Sequence, residues 1–372
     1  MRGWALAWWC VLPAWGAAWS SWHLRRSWFY YDEWSMIERV QSMSGGDGMM
    51  ASFNGHLWMG QYWLYRVQVS IFGLDTHTFI CVMFVTSLVL LHLALAALLR
   101  AAGLPRPSAL LLGGVLTYLG AASQNFLFAV QVSPTLSLAA AVAAAAIVVS
   151  GRRSVPWACV ISLLLLAAVG LDSGTALGGV VLGAGVLLLR WRSWRAVWVA
   201  APAVLALTAW YLLASLGPEF PATRWRRVTF AVELGLRGAG SLVAAGAWVG
   251  ACLLVVALVV IVVGRRRGWS TPEAGALLAA GAASATITIA GISQSRAGLP
   301  GFDFISGNRY LQAVLVPMVL AAAPSVALAC RQVHPPSVRR AGAVSAPLLL
   351  VVAFCSGCRR CVTTPHCSMP RT

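Results

Sequence analysis

The sequence predicts an all-α protein, a polytopic membrane helix bundle of about eleven transmembrane helices with an amphipathic helix in its first extracytoplasmic loop. Three observations predict it. Of 372 residues, 59% are hydrophobic and 10% charged, at a mean hydropathy of +0.78, more apolar surface than a soluble core of this length can bury. Apolar runs long enough to cross a bilayer recur along the whole chain. Arg clusters fall in every second connection between those runs, as the positive-inside rule requires of a multi-pass protein.

The runs lie at about 3 to 20, 79 to 99, 108 to 123, 134 to 149, 156 to 171, 174 to 189, 196 to 216, 239 to 263, 274 to 292, 311 to 330 and 341 to 357. Several are short and rich in Ala and Gly, which suits close packing of helix on helix. The first run reads either as a signal peptide or as an uncleaved span. Bulky Trp residues crowd the region where a small-residue cleavage site belongs, which favours the span. With no repeat of fixed period and no long polar linker, residues 1 to 357 read as one transmembrane domain, and 358 to 372 as a disordered, polar, Cys-rich tail.

Arg100 and Arg106, Arg152 and Arg153, Arg190 to Arg195, Arg265 to Arg267, and Arg331 to Arg340 mark five cytoplasmic connections. The stretch 21 to 78, the turn after Gln124, the 170 to 174 turn, and the loops 217 to 238 and 293 to 310 then face outward. This places the protein in the plasma (inner) membrane, multi-pass, with membrane lipid around it. The formal charge of +17 is all Arg and is dispersed between apolar runs, which argues against a nucleic-acid partner. The oligomeric state cannot be read from the residues.

The first outer loop is the longest stretch outside the spans, and it holds Asp32, Glu33, Glu38 and Asp47 in a chain with ten acidic residues. "YYDEW" sets Asp32 and Glu33 among Trp28, Tyr30, Tyr31 and Trp34. It reads either as a solvated loop start or as a catalytic carboxylate, Asp32, that can take a proton, with Glu33 positioning a substrate. Further along, Asn54, Gln61, Tyr65 and Gln68 form a polar stripe on a helix whose other face carries Trp63, Leu64, Val67 and Ile71, a composition suited to the bilayer surface. His56 reads as an interfacial histidine with a hydrogen-bond partner or as a proton carrier. Asp172 in "GLDSG" reads as a helix cap or a substrate contact. Gln124, Asn125 and Gln131 are amides at membrane depth that need partners in the bundle or in a cavity. The late loop offers Arg296, Asp303, Asn308 and Arg309, followed by Tyr310. An Arg there can grip a lipid phosphate bidentately or simply snorkel.

"YYDEW", "NGHLW" (Asn54 to Trp58), "QNFLFAVQ" (Gln124 to Gln131) and "GNRY" (Gly307 to Tyr310) together resemble the GT-C glycosyltransferases that take sugars from polyprenyl-phosphate carriers, most closely actinobacterial membrane proteins of that kind. The resemblance spans most of the first 330 residues. It implies a GT-C-like fold, a lipid-linked sugar donor and a first-loop acid as base, which carries over to Asp32, with His56, Asn54, Gln124, Asn125, Gln131, Arg296, Arg309 and Tyr310 contacting substrate. The chain departs from the pattern in Glu33 (Asp in the pattern), in Gln124 (Glu in the pattern), and in lacking a large soluble C-terminal domain.

No cofactor is predicted beyond that donor; a divalent metal is compatible with the transfer, but no ligand set for one is read here. The tail residues Cys355, Cys358, Cys361, His366 and Cys367 fit neither standard zinc nor iron–sulfur spacing. The competing function classes are a multi-pass transporter or lipid flippase and an inactive scaffold subunit. A transporter concentrates ionisable groups near the bilayer midplane, whereas these spans are nearly uncharged apart from His92, with the acids at the outer rim.

Overall fold

The computed structural model describes residues 2–25, 28–29, 32–43, 45–53, 56–118, 128–213, 221–242, 246–298 and 309–333. Helix α1 (Arg2–Leu24) leads into a first loop that is itself folded. The loop contains α2 (Asp32–Ser42), α3 (Gly45–Met50), an antiparallel hairpin of β1 (Ser52–Phe53) and β2 (His56–Leu57), and α4 (Met59–Val67), which continues into a π turn at Gln68–Phe72. The bundle follows as α5 (Thr78–Ala101), α6 (Arg106–Thr117), α7 (Val132–Val149), α8 (Val155–Leu171), α9 (Ser173–Trp191), α10 (Trp194–Leu213), α11 (Arg224–Ser241), α12 (Ala247–Arg266), α13 (Pro272–Arg296) and α14 (Arg309–Val333).

Among the described residues seven helices are long and apolar enough to cross a membrane: α5, α7 with its preceding turn, α9, α10, α12, α13 and α14. That is fewer than the eleven expected. Helix α8 has 17 residues and α6 has 12, short of the roughly 20 a perpendicular span needs; the run at 341 to 357 lies outside the described residues. The run at 239 to 263 is also redrawn, because the helix begins only at Ala247. Its first residues end α11, which occupies much of what reads as an outer loop in the sequence. The Thr223 hydroxyl caps α11 by accepting from the Arg226 amide at 3.2 Å. Phe230, Leu234 and Gly238 then face inward while Trp225, Val228 and Val232 face out, an amphipathic period hidden by a stretch of low mean hydropathy.

Helix α9 is the hub. It lies against α7, α8, α10 and α13, and α13 in turn lies against α14. Small residues allow the approach: a Cβ on Gly178 would strike the Thr288 hydroxyl, and one on Gly183 the Leu165 side chain. Ser284 of α13 donates to the Gly178 carbonyl at 2.8 Å. A second, smaller core lies under the first loop, where Met36, Ile37, Tyr62 and Tyr65 meet Ile80, Phe84 and Val132.

The connections sort to two ends. At one end Arg190 pairs with Glu273 at 2.5 Å and the Arg153 guanidinium donates to the Arg190 carbonyl at 3.0 Å. At the other end the folded first loop meets the turn between α8 and α9. This agrees with the grouping of connections read from the alternating Arg clusters.

Candidate functional site

Helix α2 starts at Asp32, and adjacent residues on a helix point about 100° apart, so the two carboxylates diverge. Asp32 is half-buried at the rim, with Trp28 and Trp34 exposed beside it. Glu33 is drawn inside, 1% exposed. Its Oε1 accepts from the Tyr65 hydroxyl of α4 and sits 2.8 Å from His77 Nε2. Burial, then the charge of Glu33, holds the Tyr65 phenol well above its ordinary range. At His77 burial opposes the charged ring, but hydrogen bonds to Cys81 and Glu33 and the charge of Glu33 outweigh it, raising the imidazole to about 9. A base whose folded pKa exceeds its unfolded value, here 6.5, stabilises the fold fully below the lower value and loses that contribution as pH rises through the upper one. Thermal unfolding in detergent should therefore show stability falling between pH 6.5 and about 9, and His77→Gln should flatten that slope.

Three of the four residues of the polar stripe, Gln61, Tyr65 and Gln68, turn inward. Helix α4 begins at Met59, after the hairpin, and Gln61, Tyr65 and Gln68 are buried against the bundle while Trp63 and Ile71 are exposed. In an apolar surrounding it is the polar atoms that must turn inward to find partners. Gln61 Oε1 accepts from the Ser133 amide at 3.3 Å, and Gln68 Nε2 donates to the Gly73 and Thr76 carbonyls at 2.8 Å each. Gly73, at φ +69°, permits the turn that brings the chain back to His77.

The hairpin carries half of a second cluster. Asp172 is 3% exposed and caps α9, accepting from the Gly174 and Thr175 amides at 3.1 and 3.0 Å and from the Thr175 hydroxyl. Its Oδ1 also accepts from the Trp58 indole at 2.8 Å and lies 3.5 Å from His56 Nδ1. Alongside, the Leu57 amide donates to Ser173 Oγ at 2.8 Å. The segments "NGHLW" and "GLDSG", far apart in sequence, thus form one unit. The capping role of Asp172 is realised, and His56 stands within ion-pair distance of it. No side chain fits at Gly174, since a Cβ would enter the His56 ring.

Of the other candidates, Gln131 is buried in the 3-10 turn that opens α7, and Arg296 is buried at the end of α13, next to Ala297, whose carbonyl accepts from Arg226 Nε at 3.2 Å. Tyr310 is half-buried against the main core. Arg309 opens α14, but its side chain, with Asn54, Gln124, Asn125, Tyr30, Tyr31, Asp303, Asn308 and the Cys-rich tail, lies outside the described residues. Among the described residues no group of three or more His, Cys, Asp and Glu side chains is placed to hold a metal ion. His77 and Trp58 were missed as site residues; a His four positions before Cys81, where a loop becomes a helix, is the signal that could have found the first. His92 sits in mid-α5 with its Nε2 2.9 Å from the Leu110 carbonyl, joining α5 to α6.

Comparison with protein-family models, with curated proteins and with solved structures finds no match, so the functional argument rests on this geometry and on the motif resemblance.

Proposed function

We propose that the protein is a GT-C-type membrane glycosyltransferase that moves a hexosyl or pentosyl group from a polyprenyl-phosphate carrier to an acceptor hydroxyl at the outer face of the membrane, with Asp32 as general base. The observation that carries this reading is the split of the acidic pair. Glu33 is sequestered by Tyr65 and His77, which fixes α2 in place, and Asp32, the first residue of that helix, is half-exposed. A carboxylate on a rigid element can hold a hydroxyl in one geometry, which a carboxylate on a mobile loop cannot.

In this mechanism Asp32 takes the acceptor proton, the oxygen attacks C1 of the sugar, and the polyprenyl phosphate departs with the bonding electrons. Phosphate leaves readily, so one base and one cationic partner suffice. The corner where Arg226 meets the end of α13, beside Arg296, supplies cationic side chains, and Arg309 is the further candidate. Glu33 becomes a positioning residue, which revises its expected contact with the acceptor. His92, an ionisable group in mid-α5, is engaged with a backbone carbonyl, so it supports helix packing better than a transport path.

The reading requires the first loop outside. Ser42, exposed at the end of α2, reports this: Ser42→Cys should react with a membrane-impermeant maleimide in intact cells. Labelling only after the inner membrane is opened would put the loop in the cytoplasm and remove the argument.

A further inference from the structure

Behind Asp32, three further side chains stand in line. Cys81 Sγ is 3.4 Å from His77 Nδ1, and His77 Nε2 is 2.8 Å from Glu33 Oε1. His77 precedes α5 and Cys81 lies in its first turn, where the Cys81 amide donates to the His77 carbonyl at 3.1 Å, so helical spacing sets the thiol over the ring. The ring is held in place, with Phe29 against it at 4.5 Å and Glu33 itself fixed by Tyr65. Glu33 from α2 and Cys81 from α5 are the titratable groups that act on the ring, and Tyr65 from α4 donates to Glu33.

A nucleophile in reach of a base whose far nitrogen is held by a carboxylate is the arrangement that activates a thiol. Metal binding does not explain it, because thiol and carboxylate occupy opposite nitrogens of one imidazole and cannot share an ion. Cys81 is half-exposed, and its surroundings are apolar: Val82 is exposed and Phe72 stacks on Phe79 at 4.8 Å.

We propose that Cys81 is a nucleophilic thiol that accepts an acyl group from an apolar activated ester, with His77 as its base and Glu33 as the residue that positions His77. The thiol proton moves to His77 Nδ1, the sulfur bonds to the carbonyl carbon, and the C–O bond to the alcohol breaks. His77 returns the proton to the departing alkoxide, leaving Cys81 as a thioester. Asp32 takes no part, so this chemistry is separable from sugar transfer.

The test uses the full chain in detergent and p-nitrophenyl butyrate as probe. The expected result is a stoichiometric burst of p-nitrophenolate and a hydroxylamine-sensitive butyryl group on the Cys81 peptide, forming at least tenfold faster than on Cys159 or Cys252, which are exposed thiols. The rate should climb as pH rises through about 9, where His77 loses its extra proton and its Nδ1 can accept from the thiol. Denaturation should make all cysteines react alike. Cys81→Ser should abolish the adduct and leave the melting temperature and any sugar transfer unchanged. Glu33→Gln should slow acylation and move its pH dependence below that of the parent, because the Glu33 carboxylate helps raise His77 to about 9. Acylation of Cys81 no faster than of Cys252 in the folded protein, or an adduct that persists in Cys81→Ser, overturns the proposal.

Discussion

Asp32→Asn should reduce sugar transfer by about a hundredfold or more, the usual range for loss of a general base. The change keeps size and most hydrogen bonding, and because the half-exposed rim position carries no core packing, the fold should persist. Transfer of labelled sugar from polyprenyl-phosphate donors, in membranes carrying each variant at matched abundance, measures it. Glu33→Gln is the instructive contrast. It removes the charge that His77 faces while keeping an acceptor for Tyr65, so it should loosen α2 and lower transfer less than the loss of Asp32. Full activity in Asp32→Asn defeats the assignment of the base. No transfer by the parent protein across several donors shifts the reading to a transporter or flippase, or to a scaffold subunit.

Asp172→Ala should cost about 2–4 kcal/mol, which is large for one substitution. It removes the N-cap that accepts from the Gly174 and Thr175 amides, typically about 1 kcal/mol, and leaves the buried Trp58 indole without its acceptor, at about 1–3 kcal/mol for a buried group that finds no substitute. Thermal unfolding should shift accordingly. Protease cleavage within residues 51–58 should rise, since the hairpin loses its anchor on α9. Asp172→Asn retains the oxygen that faces Trp58 and should recover part of the loss. An alanine variant that melts and digests like the parent would show that the hairpin is held by something else.

The long apolar runs were legible because burial in lipid demands composition alone, and the starts and ends of α5, α8 and α9 fall close to the expected spans. Arg clusters likewise revealed which connections share an end, as the Arg190–Glu273 pair does. Helix α11 was not legible, because an amphipathic helix with Arg224, Arg226, Arg227, Glu233 and Arg237 has the composition of a loop and declares itself only by period. The facing of α4 was not legible for a related reason: a stripe of Gln61, Tyr65 and Gln68 looks the same whether it meets water or protein. At the site, the capping by Asp172 could be inferred locally. The union of Trp58 with Asp172, and of Glu33 with His77, depends on how distant segments pack, which local pattern does not encode.

The docking of the hairpin on α9 also sets an order in time. Trp58 and its acceptor are 114 residues apart in the chain. At a synthesis rate of about 5–20 residues per second, α9 begins to be made some 6–20 s after the first loop has been completed. During that interval Trp58 has no Asp172 to bind, and the first loop can complete its α2–α4 core but not its attachment. A ribosome stalled before residue 172 should therefore expose an inserted but undocked loop, and the half-exposed rim that presents Asp32 comes under the control of the bundle only after α9 has entered the membrane.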